Sequence, residues 1–141
     1  LLNKLLLFLF CTIALKACTI NKFDKQGNRI GKWKSYWNDK QIQSRGKYKE
    51  GWQKGVWKYY DQQGHLAQKQ THHKDKTIDI VYYYPNGKIE SYGKARIKLD
   101  EKENIHFFWY DQWLFYHTDG TLKTEKYYLE GQAMEGEEFT K

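Results

Sequence analysis

The chain has 141 residues, with 24 Lys or Arg against 17 Asp or Glu for a net charge of +7, and its aromatic side chains are 7 Phe, 12 Tyr and 6 Trp. A 40% hydrophobic content argues against wholesale disorder, and the length excludes a large enzyme with separate cofactor and substrate domains. So much Tyr and Trp leans towards strands, whose pleated surface suits aromatic and β-branched side chains.

The first residues differ from the rest. After Lys4 an uncharged run extends from Leu5 to Leu15, too short for a bilayer span of about 20 residues but suited to the apolar region of a secretory leader. The ending Leu15-Lys16-Ala17-Cys18 resembles a bacterial lipobox. That resemblance implies a signal peptide over 1–17, diacylglycerol on Cys18 as the first mature residue, and a short tether over 18–22. Thr19, in place of an acidic residue, tilts the expected address to the outer membrane of the cell envelope. Both cysteines, Cys11 and Cys18, belong to this segment, so the folded domain has no disulfide and no thiolate metal site. Removing 1–17 takes away Lys4 and Lys16 and no acid, so the net charge falls from +7 to +5. Export disfavours nucleic acid as a partner. The lysines are scattered singly (Lys32, Lys34, Lys47, Lys49, Lys54, Lys58), as expected for solvated strand positions that discourage sheet-to-sheet aggregation, with weak attraction to an anionic headgroup layer or glycan as an addition.

From residue 23 onwards the chain repeats itself. Gly27, Gly31, Trp33 and Tyr36 recur 24 residues later as Gly51, Gly55, Trp57 and Tyr60. In a degenerate third copy Tyr84 follows at the same interval, Val81 stands where Trp is expected, and Asp75 and Asp79 stand where the glycines are expected. A second half-block follows each Tyr, with Tyr60 leading to Gly64 and Leu66, Tyr84 to Gly87 and Ile89, and Tyr116 to Gly120 and Leu122. Trp113 and Tyr116 renew the Trp-to-Tyr spacing, and Tyr128, Glu130 and Gly131 echo Tyr48, Glu50 and Gly51. About four copies of 24 residues thus occupy 23–141.

Stretches such as Asp61-Gln62-Gln63-Gly64 and Pro85-Asn86-Gly87 read as hairpin turns with Gly in the left-handed position. The pairs Gly27/Gly31 and Gly51/Gly55 read as marking the opposite turn. Each unit is then a β-hairpin, and the predicted fold is all-β: repeated antiparallel hairpins joined into an extended, solenoid-like meander in which every repeat depends on its neighbours. Positions i and i+3 of a strand face opposite ways, so Trp33, Trp57 and Trp113 are expected in one row as the repeat core, with Trp37 sharing the side of Trp33. Tyr36, Tyr60, Tyr84 and Tyr116 form a second row, either further core or a candidate binding surface. The interval from Tyr84 to Tyr116 is longer than 24 residues, and the excess falls in the charged stretch 94–104, read as a longer hairpin turning near Asp100 to Asn104.

The blocks G-x-x-x-G-x-W-x-x-Y and Y-x-x-x-G-x-[IL] resemble MORN-repeat variants (membrane occupation and recognition nexus) of the kind found in YwqK-family antitoxins. The resemblance covers most of 23–136 and implies an array of hairpins used for protein or membrane contact, with no catalytic residues to carry over.

No nucleophile elbow, P-loop, dinucleotide fingerprint or HExxH helix is present. His72 and His73 are adjacent, so on a strand their rings point apart and would not share a metal. The carboxylates Glu135, Glu137 and Glu138 cluster at the C-terminus, without the facing pair a glycosidase needs. The sequence therefore leads to a membrane-anchored, non-catalytic protein-interaction module without cofactor or metal, with an envelope protein as partner and an immunity- or antitoxin-like role. The alternative is a cell-wall glycan-binding lipoprotein acting through exposed Trp and Tyr.

Overall fold

The computed structural model describes residues 19–38 and 40–134; the leader, Cys18 and the acidic cluster at Glu135, Glu137 and Glu138 lie outside the described residues. Ten strands follow one another: β1 (Lys22–Phe23), β2 (Arg29–Tyr36), β3 (Ile42–Lys49), β4 (Trp52–Tyr60), β5 (Leu66–His72), β6 (Thr77–Tyr83), β7 (Ile89–Leu99), β8 (Ile105–Tyr116), β9 (Leu122–Leu129) and β10 (Gln132–Ala133). Each pairs antiparallel with its sequence neighbours, in one sheet whose spatial order is the chain order. The expected meander of hairpins is what the chain forms. No helix among the described residues is long and apolar enough to cross a membrane.

Two turn chemistries close the hairpins. At one end Asp61 and His65 close a hairpin in which the Gly64 amide donates to the Asp61 carbonyl at 3.1 Å, and Tyr84–Lys88 and His117–Thr121 repeat the pattern. At the other end, Glu50-Gly51 and Glu130-Gly131 have φ of 53°, 79°, 45° and 87°, the paired left-handed residues of a two-residue turn whose twist matches its strands. The extra residues of 94–104 lengthen β7 and β8, and their turn is closed by Asp100 and Asn104.

The register corrects three expectations. Gly31 and Gly55 are not turn residues: they lie inside β2 and β4 with φ of 70° and 63°. At Gly55 the reason is a bulge, since β4 advances four positions from Lys54 to Lys58 where β3 advances two from Lys47 to Arg45, and a left-handed residue absorbs the excess. β8 does the same from Tyr110 to Leu114 opposite Lys94 to Tyr92, with Asp111 at φ 64° in the role of Gly55. The third repeat is one residue shorter than supposed. Trp57 faces Gln70 and Tyr60 faces Leu66, whereas Ile80 faces Gly93 and Tyr83 faces Ile89. Ile80, not Val81, therefore takes the place of the Trp, Ile78 takes that of Gly55, and Tyr83, not Tyr84, continues the Tyr row. Finally, Trp37 stands in the turn beyond β2, where strand alternation no longer applies; its indole donates to the Tyr60 carbonyl at 3.0 Å.

The core lies on one face of this single layer. Trp57, Ile78, Ile80, Ala95 and Trp113 are buried there, with Tyr82, Ile97, Trp109, Phe115 and Tyr128 packed against the cluster. With no second layer packed on the sheet among the described residues, so much is buried only by laying large rings over neighbouring strands. Gly46 and Gly93 permit this, because the Trp57 and Trp113 rings rest directly on their backbones.

Candidate interaction surfaces

The Trp face carries an almost continuous aromatic spine. Phe23, Trp33, Tyr48 and Trp57 meet edge to face at centroid distances of 5.2, 5.4 and 5.0 Å, and Trp109 stacks on Trp113 at 3.7 Å. The indole N–H groups are satisfied at backbone carbonyls, Trp57 at Lys47 and Trp113 at Lys94, each at 3.0 Å. Trp33 is only half-buried because its outer neighbour β1 has just two residues; its N–H donates to the Ile30 carbonyl. Such rings, packed and hydrogen-bonded, stabilise the sheet and leave little area for a ligand.

The tyrosines separate. Tyr36 is 42% exposed, whereas Tyr60, Tyr84 and Tyr116 are half-buried. The Arg45 guanidinium lies over the Tyr60 ring at 5.5 Å, Tyr116 stacks on Tyr92 at 6.4 Å, and the Tyr84 hydroxyl donates to the Tyr116 carbonyl at 2.8 Å. Tyr84 occupies the turn position shared with Trp37, Asp61 and His117, so the four do not form one strip.

The turns are held by carboxylates. Asp24 accepts from the Asn28 and Gln26 amides at 2.8 and 2.9 Å, and Asp100 accepts from Asn104 through side chain and backbone at 2.8 Å. The Asn28 amide at Asp24, the Thr77 hydroxyl at Asp75, the Asn104 carboxamide at Asp100 and the Thr121 hydroxyl at Asp119 hold these acids below the usual carboxylate range. His72, paired with Ile78 on the Trp face, is lowered to about 4 by burial and then by His73. Its Nε2 lies 3.0 Å from Gln70 Oε1, whereas His73 Nε2 lies 2.8 Å from Asp79. The two imidazoles therefore have separate partners, and no group of three or more His, Cys, Asp or Glu among the described residues is placed to hold a metal.

The opposite face is different in kind, and its organisation is not apparent from the spacing of Trp and Tyr. In β2 to β5 it bears Lys34, Arg45, Lys58 and Lys69 in one cross-strand row and Lys32, Lys47 and Lys54 in another. All of them except Lys69 line a shallow groove of about 960 Å³ that also takes in the exposed Val56 and Ile20. The available signal was compositional: none of these four strands contains an Asp or Glu. The glycines under the Trp rings, Gly46 and Gly93, were likewise missed, since they belong to the strand before each Trp.

Hairpins of this length, closed by glycine turns and built on Trp over Gly, have a match among known families. Residues 29–50, 53–75 and 79–94 fit the family model described as the MORN repeat variant. Three segments of the chain are thus similar to MORN-variant repeats. The first comprises β2 and β3, the second β4 and β5, and the third β6 with the first half of β7. Beyond the matched segments β8 and β9 continue the geometry of the earlier hairpins, with Trp113 over Gly93 as Trp57 is over Gly46. No curated protein and no solved structure matches the chain.

Proposed function

We propose that this protein is a non-catalytic interaction module of the bacterial envelope, tethered to the outer membrane through lipidated Cys18, which presents its sheet to another envelope protein in an immunity- or antitoxin-like role. The observation that carries the reading is the single layer of ten strands, which among the described residues has no second layer packed on it and leaves the face opposite the Trp core open. The MORN-variant repeats support contact with a protein or membrane as the purpose of that area. Two measurements test it. Acyl labelling of the full chain should disappear in Cys18→Ser, with the protein leaving the membrane fraction; in-cell crosslinking with Cys18 intact should recover one envelope protein reproducibly. Labelling that persists in the variant, or crosslinking that yields no reproducible partner, would overturn it.

A second reading, glycan binding by stacking, has one favourable observation: Tyr36, Trp37, Trp52 and Tyr92 are each more than 40% exposed. Cell-wall fragments that shift the Trp fluorescence would support it, and an unchanged spectrum would remove it.

A further inference from the structure

The charge of the chain is not spread evenly over its sheet. In the C-terminal half opposite signs are interleaved: Asp79 faces Lys94, Lys94 reaches Asp111 and Lys98 reaches Glu130, both at 3.3 Å. In β2 to β5 like faces like. Lys34 is registered on Arg45, Arg45 on Lys58 and Lys58 on Lys69; Lys32 is registered on Lys47 and Lys47 on Lys54. Like charges directly opposite one another destabilise a sheet, and solubility alone is served by the interleaved arrangement of the other half. Among the described residues Arg45, Lys47, Lys58 and Lys69 form no ion pair.

We infer that the groove on this face is the docking site for an extended acidic segment of the partner polypeptide, in which carboxylates alternate with apolar side chains. This inference rests on the interaction-module reading and names the chemistry of its partner. Complementarity of charge is the first argument. Strands lie about 4.8 Å apart, so a chain laid across the groove meets a cation on each of β2, β3 and β4 along the Lys34–Arg45–Lys58 row, with the second row alongside. The second argument is the lining. Val56, 51% exposed between Lys54 and Lys58, and Ile20, 38% exposed, are apolar points that a polyphosphate would leave unused and a mixed acidic and apolar peptide would cover. Lysines supply point charges without demanding paired geometry, so recognition depends on the density of carboxylates more than on one sequence.

The test uses the full chain carrying Cys18→Ser, so that lipid does not contribute. A fluorescein-labelled peptide alternating Glu with Leu is titrated in parallel with inorganic polyphosphate and with phosphatidylglycerol vesicles. The peptide is expected to bind, to weaken as salt is raised, and to lose affinity by about tenfold or more in Lys47→Glu/Lys58→Glu, with Lys47→Gln/Lys58→Gln intermediate. The same Glu variant is expected to melt higher by about 2 to 5 °C, because it turns repulsive registers into attractive ones. Equal binding by both variants, preference for polyphosphate or vesicles over the peptide, or a lower melting temperature would each overturn the inference. In cells, a partner still captured by the Lys47→Glu/Lys58→Glu chain would refute the groove and leave the module reading standing. Capture of no partner by the unaltered chain would remove the module reading itself.

Discussion

Gly93 lies flat beneath the indole of Trp113: a Cβ on the glycine would stand 2.3 Å from the ring, and at Gly46 it would stand 2.2 Å from that of Trp57. Neither glycine has a positive φ, so it is room for the ring, not backbone freedom, that requires glycine here. Gly93→Ala should therefore cost about 1 to 3 kcal/mol through overpacking, and Trp113→Ala about 3 to 5 kcal/mol through lost burial. Urea unfolding of each variant measures both. A Gly93→Ala protein within about 0.5 kcal/mol of the parent would show that the ring is not seated on this backbone.

The third repeat supplies a natural control. Where Trp is replaced by Ile80, the residue opposite Trp57 and two strands' width from Gly46 is Gln70, and Gln70 occupies in β5 the place of Gly46 in β3. Loss of the ring and loss of the glycine thus go together. A double-mutant cycle with Gly46→Gln and Trp57→Ile should show a coupling of about 1 kcal/mol or more, the pair being less harmful than the sum of the single changes. Strict additivity would contradict the seating of Trp57 on Gly46.

Stability should fall with acid in two stages. His72 is held neutral in the fold, its value lowered from 6.5 to about 4, so its contribution is complete above about pH 6.5 and is lost as the pH falls from there towards 4. Asp24, Asp75, Asp100 and Asp119 are lowered from 3.8, so their contribution is present above that value and is lost as the pH falls further. Melting temperatures between pH 7 and pH 3 should show both declines. In His72→Gln the upper decline should vanish while the lower one remains; an unchanged upper decline would exclude His72 as its source.

The N-terminal edge is protected by a side chain imitating a strand. The Asn21 carboxamide accepts from the Lys34 amide at 2.8 Å and donates to the Lys34 carbonyl at 2.9 Å, which continues the ladder past the end of two-residue β1. An open edge is a template for pairing with another chain. Asn21→Ala should cost about 1 kcal/mol and raise self-association, followed by light scattering over a concentration series. Scattering identical to that of the parent would mean that the edge is covered otherwise.

Much of the fold was legible because its signals are local. Turn residues and a Trp-to-Tyr spacing recurring in successive units mark hairpins, and hairpins in series make a meander. What was not legible depends on register. Gly31 and Gly55 read as turn residues since a left-handed glycine looks the same in a bulge as in a turn. The shift by one residue in the third repeat moved Ile80 into the place assigned to Val81, and with a period of two a slip of one exchanges the faces. The lysines appear single along the chain and become rows only when β2, β3, β4 and β5 are laid side by side.

The most direct measurement is a photocrosslinker placed at Val56, on the exposed side of the lysine groove, in live cells carrying the full chain. An adduct mapping to a carboxylate-rich stretch of one envelope protein is expected there, with none at Ile105 on the far hairpin. Adducts confined to Ile105, or an adduct at Val56 on a segment without acidic residues, would contradict the assignment of this face to an acidic partner.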